Sequence, residues 1–252
     1  MEIVIEEDLK EFIKRLPDLD KDKMTVHLIM LAVRSRKAKE ILGVKIKDLV
    51  VERKVIRPID DWRERYFNQV YNLSILQHEG KYNIRDLDVP GETMGIFATL
   101  SPRNVLSSVA DMMKEDIGYF YKLDEGSKME LAKQSSRFFG FLHKHKDRIT
   151  NFVTLDLDSG DKDVLNNILD DVNKSGIPLF MVTETSRGYH AVLDLTKPEH
   201  AKIFYGQEAL IQKLGLKYSD KGLEIQKDSQ EPIPGTLYCK PRKEIHYVKI
   251  LQ

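Results

Sequence analysis

The segment FVTLDLDSGD (152–161) constrains the fold more than any other stretch of the chain. An apolar run ends in two acids with one leucine between them. Residues two apart in a strand share a face, so Asp156 and Asp158 are expected side by side at the end of a buried strand. Like charges so placed repel, and something must offset that. The runs that follow set the architecture. Helical patterns cover 161–174 and 198–214, strand patterns cover 177–183, 188–195 and 222–226, and a short strand is expected within 244–250. From 149 onward the order is β-α-β-β-α-β, that of a ferredoxin-like or RNA-recognition-type sheet. The turn inside VTETSRGYHAV (182–192) is too short for a crossover helix, so its two strands should be antiparallel.

Upstream, MGIFATL (94–100) reads as a strand, and Ser101-Pro102 as the cap and first residue of a helix to about Ile117. Another helix is expected over about 127–145. Residues 1–90 read mainly helical, with helices over 6–16, 23–42 and 60–77, the last capped by Asp60 and Asp61. VVERKVI (50–56) is a strand there, and HEGKYNIRDLDVPGE (78–92) a linker or long loop. The expected fold is α/β (α+β). An RRM-like (ferredoxin-like) antiparallel sheet with an additional αβ unit occupies 91–252, after a mainly helical N-terminal region, 1–90.

Lysine and arginine total 40 and aspartate and glutamate total 40, so no whole-molecule field draws the chain to a polyanion. Any such contact must come from local basic clusters: 34–37 (RSRK), 143–146 (HKHK) or 240–243 (KPRK). The single cysteine, Cys239, excludes an intrachain disulfide and a multi-cysteine zinc site, and fits a reducing compartment. The N-terminus, MEIVIEEDLK, has acids where a secretory signal has basic residues. No apolar run approaches the roughly 20 residues that span a bilayer. A cytoplasmic protein without membrane contact is expected.

A carboxylate pair at a strand end is relieved most simply by a divalent cation. Mg²⁺ takes oxygen ligands, commonly one or two carboxylates plus substrate phosphates, and two such ions serve phosphoryl transfer. A solvated strand-to-loop junction is the competing reading. The second signal is ETSRGYHAVLDL (184–195). Ser186, Arg187 and His190 are phosphate donors, and Gly188 lets the backbone approach a ligand closely. His190 opens a strand expected beside that of the acids; a purely structural hydrogen bond is the alternative.

LDLD, SRGYH about thirty residues on, then an acid and a PGTLYCK segment resemble, in that order, the archaeo-eukaryotic primase (AEP) superfamily. This family includes small catalytic primase subunits and plasmid and phage primase-polymerases. Its first motif is a strand ending in Asp-x-Asp or Asp-x-Glu, its second is of Ser-x-His type, and its third is an apolar-flanked acid. In archaeal small subunits that acid precedes the proline of an L-P-G-S-L-H-G-K run by fourteen residues. Here Asp220 precedes Pro234 of IPGTLYCK (233–240) by the same spacing. The likeness covers roughly 94–250. It departs where archaeal enzymes carry arginines before L-P-G-S: this chain has Gln230, Glu231 and Pro232.

The resemblance implies a DNA primase or primase-polymerase, a template-directed nucleotidyltransferase that makes or extends primers on single-stranded DNA in plasmid or phage replication. It implies Asp156, Asp158 and Asp220 as catalytic ligands of two Mg²⁺ or Mn²⁺ ions, with Glu224 or Asp228 as fallbacks for the third. Many relatives carry a zinc-binding insertion; this chain lacks the cysteines for one, so no zinc is expected. It assigns the NTP or dNTP to Ser186, Arg187, His190 and Lys240, and gives Arg103 and Arg242 as further nucleic-acid contacts. A separate helicase or large primase subunit is an expected partner. Two other functions compete: a non-catalytic replication accessory subunit binding single-stranded DNA or a partner, and a Toprim-type enzyme. The latter would leave SRGYH unexplained and needs an earlier glutamate that is not evident. A relaxase-like nicking protein fits poorly, because His143 and His145 flank a lysine.

Overall fold

A computed structural model describes residues 3–45, 47–80, 82–84, 87–122, 124–145, 152–206, 209–227, 230–238 and 246–252. The fold is mixed α/β; among the described residues it is built on two five-stranded sheets whose pairings are all antiparallel, plus a small hairpin.

The first sheet centres on β1 (Thr25–Val33), whose nine residues are all buried. Its neighbours are β2 (Leu49–Ile56) on one edge and β5 (Met94–Thr99) on the other. Sequence reading expects a helix over 23–42, and β1 corrects it. TVHLIMLAV is a continuous apolar run, which periodicity cannot distinguish from a buried helix. Partner strands on both edges satisfy its backbone hydrogen bonds, and its side chains are buried on both faces, so the strand wins. Only the end of that stretch is helical, as α2 (Ser35–Leu42). Region 1–90 therefore contains α1 (Glu6–Arg15), α2 and α3 (Trp62–Glu79), but also β1, β2 and a hairpin of β3 (Tyr82–Ile84) and β4 (Leu87–Val89) inside the expected loop. Because β1 pairs with β5, the boundary expected at residue 90 cuts through the first sheet.

Two-residue β6 (Arg103–Asn104) pairs with β1 where a helix was expected to begin. The helix α4 (Val105–Lys122) starts later, with the Asn104 side chain accepting from Ser107 N–H at 2.9 Å. The helix expected over 127–145 is two, α5 (Glu125–Ala132) and α6 (Gln134–Lys144), broken at Lys133.

The second sheet consists of β7 (Phe152–Leu157), β8 (Leu179–Glu184), β9 (Tyr189–Asp194), β10 (Leu223–Lys227) and β12 (Lys249–Ile250), in the order β10-β7-β9-β8-β12. Helix α7 (Lys162–Ser175) connects β7 to β8; α8 (Pro198–Tyr205) and α9 (Leu210–Tyr218) lie between β9 and β10. Strand alternation sorts its two faces. Val153, Leu155, Leu157, Tyr189, Ala191 and Leu193 pack on α7 and α9 through Val164, Ile168, Leu214 and Tyr218. The opposite face sends Phe152, Met181 and Val192 into the core of the first sheet, beside Ile29, Leu31 and Ile96. A short strand, β11 (Gln230–Pro232), follows β10 but pairs with β5 of the first sheet, so the chain crosses from one sheet to the other there. No helix among the described residues is long and apolar enough to cross a membrane.

Candidate functional site

Asp156 lies on the face of β7 that looks toward the first sheet. The ladders set its neighbours: Glu224 of β10 is paired with it on one side and His190 of β9 on the other. Asp158, two residues on, lies just past the strand, where its N–H donates to Gly222 O at 3.1 Å. The third acid of the motif has a structural task. Asp161 caps α7, accepting from the N–H groups of Asp163 and Val164 at 2.9 and 3.2 Å.

Asp156, Asp158, Glu224 and His190 form one wall of a cavity of about 270 Å³ between the two sheets. Asp156, Asp158, Glu224, Gln226 and His190 face Arg34, Arg36, Lys37, Phe97 and Tyr238, with Thr185 and Arg187 at the turn. One wall thus carries three carboxylates and the other three fixed cations, with Arg187 as a fourth. Arg36 reaches across to Asp158 at 3.4 Å. Lys37 is 4% exposed; its ammonium lies 3.4 Å from Ser186 Oγ and 3.8 Å over the Tyr238 ring. The repulsion expected between acids is offset by this opposing wall and by hydrogen bonds. Asp156 accepts from Gln226 Nε2 at 2.8 Å and faces His190 Nε2 at 3.3 Å.

His190 is held between two carboxylates. Its Nδ1 lies 2.7 Å from Glu231 Oε2, and Thr154 donates its hydroxyl to Glu231 Oε1. Burial opposes an imidazolium, but Glu231 and Asp156 outweigh it and push the His190 pKa up to about 10. Both carboxylates thus favour the protonated ring, in which each nitrogen is a donor.

Gly188 performs a different task from the expected one. A Cβ there would lie 1.8 Å from Leu157 O and 2.8 Å from Ser159 N. The glycine is needed for close approach to the end of β7, and it locks SRGYH against the strand of the paired acids.

Of the sequence-derived site, Asp156, Asp158, Arg187 and His190 line the cavity, and Ser186 sits beneath it against Lys37. Asp220 does not join them. It occupies an exposed single turn (Ser219–Lys221) ahead of β10, and Glu224 takes the place facing Asp156. The fourteen-residue spacing to Pro234 selects the turn; the ladder selects the strand residue. Arg103 does not line the cavity: it is 1% exposed and donates to His143 O at 3.0 Å. Lys240, Arg242, Asp228 and Cys239 lie outside the described residues. Of the basic clusters, 34–37 contributes Arg34, Arg36 and Lys37 to the cavity, whereas His145, at the end of α6, pairs with Asp111 at 3.0 Å. Glu231 was not anticipated as a site residue. No local pattern marks it, because its partner is 41 residues away on another sheet.

The donor set suits a hard divalent cation: carboxylate oxygens from Asp156, Asp158 and Glu224, with no sulfur ligand among the lining residues. Among the described residues, no three His, Cys, Asp or Glu side chains converge as a ready-made metal group. No known family model, curated protein or solved structure matches the chain.

Proposed function

We propose that the protein is a template-directed nucleotidyltransferase of the AEP type, making or extending primers on single-stranded DNA. The observation that carries this is the two-walled cavity: three carboxylates face four fixed cations across a space open to solvent. A metal-bound nucleoside triphosphate offers the matching pair of charges. The order β10-β7-β9-β8, with helices on the face away from the cavity, supports reading the second sheet as an RRM-like palm.

On this reading Asp156, Asp158 and Glu224 hold Mg²⁺ or Mn²⁺. Such ions, when bound, favour attack of a 3′-hydroxyl on the α-phosphate and neutralise the departing pyrophosphate. The rest falls to the chain's own groups. Arg34, Arg36, Lys37 and Arg187 bind the triphosphate and hold it in one orientation, which is most of what phosphoryl transfer asks of a protein. His190 donates from Nε2 beside Asp156. Tyr238 and Phe97 supply aromatic surface on the cationic wall, suited to a base or sugar.

The test is incubation with single-stranded template, labelled NTPs or dNTPs and Mg²⁺ or Mn²⁺, with and without a primer. Metal-dependent incorporation is expected, with loss in the Asp156→Ala, Asp158→Ala double variant. Full activity in that folded variant, or none in the wild type under all these conditions, rejects the proposal.

A further inference from the structure

We infer that Glu231 is a positioning residue for His190: it fixes the ring so that Nε2 faces Asp156 and the cavity, making the triphosphate site depend on docking of the first sheet against the second. What the cavity binds rests on the nucleotidyl-transfer reading; the orientation of His190 does not.

Glu231 is on β11, which pairs with β5 of the first sheet, while His190 is on β9 of the second. Its neighbours Gln230 and Pro232 line the cavity, and Glu231 is turned under it, 1% exposed. Both its oxygens are engaged, one by His190 Nδ1 at 2.7 Å and one by the Thr154 hydroxyl. Thr154 precedes Asp156 by two residues, so it stands on the same face of β7. A carboxylate this buried costs several kcal/mol in lost hydration unless fully paired, and an apolar residue would fill the space at less cost. Its position is explained by what it does to the imidazole. A hydrogen bond to one ring nitrogen fixes the orientation of the ring and aims the other nitrogen, as carboxylates do for histidines that bind ligands. The aimed nitrogen here is Nε2, 3.3 Å from Asp156 Oδ1. The result is a continuous chain, Thr154–Glu231–His190–Asp156, that crosses the interface between the sheets.

The experiment has two arms. In wild-type protein with ¹⁵N-labelled histidine, NMR should show a protonated His190 Nδ1 whose proton exchanges slowly with solvent. An unprotonated or freely exchanging Nδ1 overturns the inference, without any variant or activity being needed. In the second arm, Glu231→Ala, or Glu231→Leu if that fails to fold, is compared with His190→Ala and the double variant. Binding of inorganic triphosphate without metal and the nucleotide KM are both measured. Each single variant should weaken binding about tenfold with kcat changed less, and the double variant should be no worse than His190→Ala. Glu231→Gln, which keeps an acceptor for Nδ1, should recover most of the affinity. Unchanged affinity in a folded Glu231 variant, or a loss that adds to that of His190→Ala, overturns the inference. A wild type that incorporates no nucleotide, yet shows the ring signature and the non-additive triphosphate affinities, rejects the nucleotidyl-transfer reading and leaves the positioning role standing.

Discussion

Glu224 of β10 stands opposite Asp156 of β7 in the antiparallel ladder, on the face that looks into the cavity. Two carboxylates in adjacent, directly paired positions repel unless a cation intervenes. On the proposed reading Glu224 is the third acid of the site, while Asp220 stays outside in an exposed turn.

The first prediction separates those two residues. Glu224→Gln should lower nucleotide incorporation by about a hundredfold or more, as expected when a charge that acts in the transition state is removed. Asp220→Asn should stay within about threefold of wild type. Primer-extension rates at saturating Mg²⁺ or Mn²⁺ decide it, and the reverse ranking would restore Asp220 to the site. Because Glu224→Gln also relieves repulsion, its thermal midpoint should not fall.

Lys37 tests the cationic wall. Its ammonium is buried between Ser186 and the Tyr238 ring. Lys37→Met should raise the nucleotide KM about tenfold or more, the scale of a charge-assisted hydrogen bond. Stability should be equal or higher, since replacing a buried charge by an apolar group of similar volume is often stabilising. Steady-state kinetics beside thermal melts check both, and an unchanged KM would remove Lys37 from the anion site.

Gly188 tests the clamp between the SRGYH turn and β7. Glycine→alanine there puts a Cβ into the Leu157 carbonyl. Gly188→Ala should cost about 1–3 kcal/mol in urea unfolding, the usual cost of forced overpacking. A change below about 0.5 kcal/mol would mean that the turn does not rest on the strand.

His27 makes stability depend on pH. Its Nε2–H donates to Pro17 O at 3.0 Å, and the ring lies close to those of Trp62 and Tyr66. Burial lowers its pKa from 6.5 to about 4. Between those values the unfolded chain takes up a proton that the folded protein refuses, so stability falls as pH drops through that window and is unaffected above it. The loss attributable to His27 should reach about 2 kcal/mol between about pH 7.5 and pH 5. Urea midpoints across this range should fall more steeply for wild type than for His27→Phe; equal slopes would contradict the assignment.

Whatever depends on near neighbours along the chain was readable from the residues alone. The second sheet's strands and α7 follow from apolar period and capping residues, and the pairing of β8 with β9 follows from a turn too short for a helix. The strand spacing of Asp156 and Asp158 and the donors of SRGYH were legible for the same reason. Tertiary structure decided whatever depends on contacts between distant segments. TVHLIMLAV is a strand because β2 and β5 flank it, a fact its own composition does not carry. Glu224 rather than Asp220 faces Asp156 because antiparallel register, not linear spacing to a proline, sets which side chain meets which. Glu231 reaches His190, and Lys37 reaches Ser186, only because the two sheets pack against each other. That burial is driven by apolar area without regard to direction, so the polar partners it brings together leave no periodic mark in the chain.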